Sequence, residues 1–184
     1  MTDTKLLEKI LEFRSKPENQ SPHGNFLDLK ILDVSSGKSL VQVPYNTALA
    51  GNATTGILHG GVITTTLDAA CGVAVIAALA RQTAIATLDL RIDYLKPATP
   101  GLAVTASGHC YKVAKDVCFV RGLAYHHDPE DPIANCTATF MVTGTPMGKT
   151  PLGKTQAPTG TTQAPAGMKN TEQSTPKSAA EDRR

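Results

Sequence analysis

Apolar and small residues follow one another almost without interruption from Ile57 to Ala80, a run that contains no Lys, Arg or Glu. Its length and composition predict one long helix that begins near the glycine pair Gly60-Gly61. Because the run is apolar on nearly every side, the helix should be enclosed by the rest of the protein. Asp68 is the single carboxylate in it, and an unpaired buried charge is costly unless it has a partner or a use.

Period-two alternation predicts the sheet that encloses this helix. Residues 85–94 alternate apolar Ala86, Leu88, Leu90, Ile92 and Tyr94 with polar side chains, as in a strand with one buried face. Further strands are predicted at residues 26–34, 40–45, 103–112, 117–125 and 133–143. Short links between them favour an α+β fold in which a curled antiparallel sheet wraps around one long buried helix. A curled open sheet has free edges, so we expect a homodimer or a dimer of dimers.

The two ends of the chain have a different character. Residues 4–14 place apolar side chains at helical spacing and predict a short amphipathic helix that ends before Pro17, followed by a loop over residues 22–25. From Gly144 onward the chain is rich in Thr, Pro, Gly and Gln and has no aromatic residue. We therefore predict an N-terminal helix and linker at residues 1–20, one domain at 21–145 and a disordered tail at 146–184.

Composition narrows the class of protein. The 184 residues are 41% hydrophobic, which is enough for one core, and the net charge of +2 comes from scattered basic residues. That pattern, with 4% aromatic residues and no Trp, argues against nucleic-acid binding. The four cysteines form no CxxC pair, and the N-terminus lacks an apolar signal segment, so we expect reduced thiols in a cytoplasmic protein. Asp68, three threonines and the Gly60-Gly61 pair make residues 57–80 a poor membrane span.

Three further patterns have simpler explanations. Residues 148–155 satisfy the phosphate-loop pattern, but Pro158 and Gly160 forbid the helix that such a loop must lead into. His126 and His127 are adjacent in a turn-rich segment with no further ligand at a suitable spacing, which favours a solvated turn over a metal site. Cys71 has no base placed to activate it and is interpreted as a small core residue.

The step Leu58-His59-Gly60-Gly61 is a stronger candidate for chemistry. Glycines at a helix start let a ligand approach the backbone, and the unpaired N–H groups there can hold an oxyanion. Asp68 lies two turns further, a rise of roughly 10–12 Å. A carboxylate from an adjacent chain's helix is therefore expected to face this oxyanion site.

Two stretches carry a resemblance to a known family. The first runs from Gly51 through His59-Gly60-Gly61 to Asp68, and the second runs from Ala86 to Pro97. Together they resemble the hotdog-fold acyl-CoA thioesterases, in particular the PaaI-type family and its YigI-like branch. The similarity covers roughly residues 25–143, and it implies a hotdog fold and hydrolysis of a medium-chain, long-chain or aryl acyl-CoA without a metal or other cofactor.

The resemblance also implies roles for individual residues. Asp68 matches the nucleophile or general base, Gly60 the N–H donor to the thioester oxygen, and His59 the residue that shapes the loop or polarises the carbonyl. Thr87 matches a hydroxyl that places the water. Many relatives have Asn or Gln six residues before the His, and this chain departs from that pattern with Ala53. Asn52, one position earlier, is the candidate for the water-orienting role.

Substrate contacts are predicted from chemistry. Gly61 lies where a bound ligand meets the backbone, and the phosphates of CoA need basic partners. The basic residues of the strand region that are candidates for this contact are Arg91, Lys96, Lys112, Lys115 and Arg121.

Two other functions remain open at this stage. A hotdog hydratase or dehydratase acting on enoyl- or 3-hydroxyacyl-CoA would use His59 with Asp68 as its pair. A non-catalytic acyl-CoA-binding module would bind the same ligand without releasing a thiol.

Overall fold

A computed structural model describes residues 4–81 and 83–144. Its α-helices are α1 (Thr4–Ser15), α2 (Pro22–Phe26) and α3 (Gly60–Leu79). Its strands are β1 (Lys30–Ser35), β2 (Lys38–Val43), β3 (Ile85–Tyr94), β4 (Val104–Val113), β5 (Val117–Tyr125) and β6 (Ala134–Val142). The predicted tail at 146–184, with its phosphate-loop pattern, lies outside the described residues.

The strands form a single antiparallel sheet in the order β1-β2-β4-β5-β6-β3. Helix α3 packs against one face of this sheet, and its buried residues join the inward side chains of the strands in one core. This arrangement confirms the predicted α+β hotdog fold, with a curled sheet around one long helix. By length and composition alone α3 could cross a membrane, but more than half of it is buried against the rest of the chain.

The prediction was wrong for residues 22–29. The expected loop at 22–25 is the short helix α2, and the strand expected from Phe26 begins only at Lys30. Ser21 caps α2 by accepting a hydrogen bond from the Gly24 N–H at 3.1 Å, and Pro22 occupies the first helical position, where its missing N–H costs nothing. The Ser-Pro step therefore starts a helix here.

A row of small residues brings the middle of the sheet close to α3. Ser39, Gly108, Gly122 and Cys136 are directly cross-strand neighbours on β2, β4, β5 and β6. Ser39 Oγ donates to the carbonyl oxygen of Ala70 at 2.6 Å. A Cβ atom added at Gly108 would lie 2.6 Å from that same oxygen, so this backbone position has no room for a side chain.

We therefore expect Gly108→Ala to destabilise the protein by about 1–3 kcal/mol, because α3 or β4 must shift to admit the methyl group. The measurement is chemical denaturation of the full chain. Gly72→Ala is the matched control: its added Cβ would make ordinary contacts at 3.7 Å, and Ala is favoured over Gly within a helix by up to about 1 kcal/mol. Equal stabilities for the two variants would contradict the close approach.

Candidate active site

The structure brings Asp68 and Thr87 together. Asp68 is half-buried on α3, and Thr87 Oγ1 on β3 donates a hydrogen bond to its Oδ1 at 2.9 Å. Among the described residues, no second donor is bonded to this carboxylate. One oxygen is therefore held in place while the other is left available to attack a carbonyl or to accept a proton from water.

A β-bulge at Leu88 turns Thr87 toward Asp68. Along β3 the pairing with β6 is interrupted between Thr87 and Asp89, so that Leu88 is the extra residue. Thr87 then pairs with the buried Phe140 and faces α3, although simple alternation placed it on the solvent face with Asp89. The same shift leaves Leu88 53% exposed. Ala86 and Tyr94 are exposed as well, so the predicted buried face is wrong at these three positions, and only Leu90 and Ile92 of the predicted row are partly buried.

His59 fixes the start of α3. It occupies the N-cap position, and its Nδ1 accepts a hydrogen bond from the Gly61 N–H at 2.9 Å. Because Nδ1 is an acceptor, the ring proton is on Nε2, which can donate to a ligand. The Gly61 N–H is therefore bonded to His59 and is not available to a substrate. Gly61 can still contribute to substrate binding because it has no side chain to keep a ligand away from the backbone.

Gly60 retains the donor expected of an oxyanion site. It is the first residue of α3, so its N–H has no intrahelical acceptor, and no other described residue accepts from it. Its carbonyl oxygen accepts hydrogen bonds from Tyr94 Oη at 3.0 Å and from Thr64 Oγ1 at 3.2 Å. These bonds hold the Gly60 carbonyl, and with it the first turn of α3, beside the end of β3.

Sequence reasoning missed Tyr94 as a site residue. Its hydroxyl lies 2.7 Å from Thr64 Oγ1 and 3.0 Å from the Gly60 oxygen, so the end of β3 braces the start of α3. The alternation that assigned Tyr94 to the inner face of its strand was the available signal. The alternation predicts a buried Tyr94, whereas its side chain is 52% exposed beside the start of α3.

Asn52 shapes the loop that precedes His59. Its side-chain oxygen accepts from the backbone N–H groups of Thr54 and Thr55, at 2.9 and 3.1 Å, and its carbonyl accepts from the Gly56 N–H. The turn continues through Gly56, whose φ of +69° favours glycine. The water-orienting role of Asn52 stays a prediction, and the contacts assign its oxygen to the turn.

The predicted CoA-binding cations are spread over the domain. Arg91 is exposed on β3 and pairs with Asp93 at 3.4 Å, and Lys96 pairs with Asp131. Lys112 and Lys115 are exposed at and near the turn between β4 and β5. Arg121 lies on the face of the sheet opposite α3, because its neighbours Val120 and Gly122 face the helix. Within one chain it is not brought together with Asp68.

The competing motifs have structural explanations in the described residues. His126 Nε2 accepts from the Thr99 N–H at 2.8 Å and Nδ1 donates to the Ala103 oxygen at 2.7 Å, so this ring holds two loops together. No cluster of three potential metal ligands occurs in residues 4–81 and 83–144. A hydrogen bond with Cys136, at an Sγ–Sγ distance of 3.6 Å, and burial raise the pKa of Cys71, which argues against a nucleophilic role.

Comparison with known sequences places these features in context. The thioesterase superfamily profile matches residues 55–133. A predicted esterase of Halobacterium salinarum is 38% identical over 90 residues, covering 46% of this chain and 60% of the relative, so the chain spans less than two thirds of that protein. The medium/long-chain acyl-CoA thioesterase YigI of Salmonella typhimurium is 35% identical over 120 residues, covering 57% of this chain and 76% of the relative.

Solved structures share the fold. A crystal structure of a Pseudomonas aeruginosa protein has a TM-score of 0.65 at 38% identity, covering 74% of this chain and 98% of that one. The Escherichia coli PaaI protein from the phenylacetic acid degradation operon has a TM-score of 0.65 at 17% identity, covering 77% and 98%. The second likeness concerns the fold alone.

All four cysteines are buried free thiols, which predicts that they resist alkylation. Burial and Cys118 raise the pKa of Cys110 to about 11, so its reactive thiolate is scarce at neutral pH. We expect iodoacetamide at pH 7.5 to modify none of the four in the folded protein and all four in denaturant, as measured by mass spectrometry. Rapid modification of Cys71 in the folded chain would restore it as a candidate nucleophile.

Proposed function

The chain belongs to the thioesterase superfamily, and we propose that it is an enzyme that hydrolyses acyl-CoA thioesters to a free acid and CoA. The observation that carries this proposal is the pairing of Asp68 with Thr87 beside an open face of α3. The named activity of the YigI relatives supports medium- and long-chain acyl groups as the substrate class, and an aryl acyl group remains part of the proposal.

The proposed reaction uses water and the residues of the site alone. Thr87 holds one oxygen of Asp68, and the free oxygen takes a proton from water as the water attacks the thioester carbonyl. The negative charge that develops on the carbonyl oxygen is stabilised by the Gly60 N–H and by Nε2–H of His59. Collapse of the intermediate breaks the C–S bond, and the departing thiolate of CoA recovers the proton. Direct attack by Asp68 is the variant in which water enters in a second step.

We further propose that the site forms between two copies of the chain. Gly60 and Asp68 are eight residues apart on one helix, which separates them by roughly 12 Å along its axis. That distance is too long for a single thioester carbonyl to reach both. Asp68 of one chain would therefore act with Gly60 and His59 of the other.

The free edge of β3 is the proposed contact between the copies. β3 pairs with β6 on one side only, and its neighbouring apolar residues Leu88 and Leu95 are 53% and 54% exposed. At the opposite edge, the apolar side of α1 packs near β1. Pairing of β3 with a second β3 would bury the exposed edge and cover the open face of Thr87 and Asp68.

The cations near this edge are the proposed partners of the CoA phosphates. Arg91 and Lys96 lie on and just after β3, and their present ion pairs with Asp93 and Asp131 are exposed, so exchange for a phosphate costs little. Lys115, in the turn after β4, is a further candidate. The free thiols support a proposed cytoplasmic location.

Asp68→Asn should abolish turnover while preserving the fold, because the amide neither attacks nor accepts the proton from water. The measurement is release of free thiol from a panel of acyl-CoA substrates, with substrate binding measured in parallel. Asp89→Asn is the matched control, since it removes an exposed carboxylate from the same strand as Thr87. Thiol release by Asp68→Asn near the unaltered rate would refute the mechanism. Hydration of an enoyl-CoA, or binding without turnover by the unaltered protein, would instead indicate one of the other two functions.

Mixing two inactive variants tests the shared site. Gly60→Pro removes the proposed N–H donor at a helix position that favours Pro, and it should lower kcat by about 100- to 1,000-fold. Gly60→Ala keeps the N–H, and its Cβ would lie 3.4 Å from Tyr94 Oη, so it serves as the control.

When Gly60→Pro and Asp68→Asn proteins are unfolded together and refolded, each mixed dimer has one site with both changes and one site with neither. Random pairing should then restore about a quarter of the normal activity. A mixture as inactive as its components, with exchange verified by mass spectrometry, would place the whole site within one chain.

A further inference from the structure

The outer face of the sheet contains a trough of about 720 Å³ on the side away from α3. It follows the row of small residues described above, where the sheet comes close to α3. Because Ser39, Gly108 and Gly122 let the strands move toward the helix, the opposite surface is hollow at the same place. The trough is thus a direct consequence of how the core packs. A volume of this size is that of a small-molecule site.

One wall of the trough is basic. Lys38, His109 and Arg121 are directly cross-strand neighbours on β2, β4 and β5. Strands lie about 4.8 Å apart, so the three side chains span roughly 10 Å. Among the described residues, neither Lys38 nor Arg121 has a carboxylate within ion-pair distance.

The two cations flank His109, which lies on the strand between them. Here Arg121 Nη2 donates to His109 Nδ1 at 3.3 Å, so His109 is present as the neutral ring between two cations. Burial, Arg121 and Lys38 together lower the pKa of His109. This wall thus presents N–H donors to a negatively charged ligand.

The other wall is mostly uncharged and ends in one carboxylate, Asp33. Leu40, Ser107, Leu123 and Asn135 form the next cross-strand row. Asp33, paired in register with Leu40, lies at the end of this row, and its Oδ1 is buried without a donor among the described residues. A buried acceptor without a donor is unfavourable. A ligand that supplies a hydroxyl or amino donor at this end would relieve it.

We propose that the trough binds a nucleotide, with its phosphates against Lys38, His109 and Arg121 and its ribose or base against Leu40 and Leu123. A span of roughly 10 Å suits two linked phosphates better than one. The apolar wall suits the base, and Asp33 suits a hydroxyl or amino group. The nucleotide is proposed to be a free nucleoside diphosphate, because the phosphates of the CoA substrate are already assigned to Arg91, Lys96 and Lys115 near the β3 edge.

Calorimetric titration of the full chain with ADP, pyrophosphate and CoA tests this assignment. Arg121→Gln and Lys38→Gln should each weaken ADP binding at least about tenfold, since each removes a charge-assisted contact. Lys9→Gln, which removes an exposed charge from α1, is the control and should have no effect. Asp33→Ala should weaken binding of ADP but not of pyrophosphate, which has no hydroxyl or amino donor.

The CoA titration distinguishes a free nucleotide from the nucleotide of CoA. Loss of ADP affinity without loss of CoA affinity in Arg121→Gln supports a free nucleotide, whereas parallel loss of both would overturn that assignment and move the CoA phosphates from the β3 edge to the trough. Absence of ADP binding to the unaltered protein, or equal weakening by Lys9→Gln, overturns the proposal. So does a change of oligomeric mass in Arg121→Gln without ADP binding, because the face would then join copies of the chain. None of these titrations requires turnover, so their failure is distinguishable from failure of the proposed hydrolysis.

Discussion

The close approach of α3 to the middle of the sheet is the constraint on which the rest of the structure depends. At this point Ser39, Gly108 and Gly122 leave only backbone or a hydroxyl between the strands and the helix. Interiors pack as densely as crystals of small molecules, so a contact this short cannot absorb even one methyl group without displacement. The position of α3 is thereby fixed along and across the sheet.

A fixed helix has consequences for the proposed chemistry. Asp68 lies less than one turn before Ala70 and Cys71, so its carboxylate is next to the part of α3 that contacts the small residues of the sheet most closely. Thr87 is presented from β3, whose bulge at Leu88 turns it inward. Tyr94 on the same strand donates to the Gly60 carbonyl oxygen in the first turn of α3. One strand therefore aligns both ends of the helix face that we propose as the site.

Much of this fold was predictable because helices and strands have different hydrophobic periods. The apolar run around Asp68 and the alternation after residue 85 placed α3 and β3 within one or two residues of their ends. The glycine pair and the lone acid also identified the candidate site. Hydrophobic periods do not predict features that depend on a single residue. The bulge at Leu88 depends on pairing with β6, and the capture of the Gly61 N–H by His59 depends on one rotamer.

The small-residue row shows why the rest was not predictable. Ser39, Gly108, Gly122 and Cys136 lie up to 97 positions apart in sequence, and only the strand order makes them neighbours. Each would be read singly as a weak strand residue or a turn signal. Once they are adjacent, their shared small size explains the short helix contact on one face and the hollow on the other. A glycine in a strand thus affects the shape of both surfaces of a single-layer sheet. The effect of a substitution in this row should therefore be measured on the helix contact and on the trough.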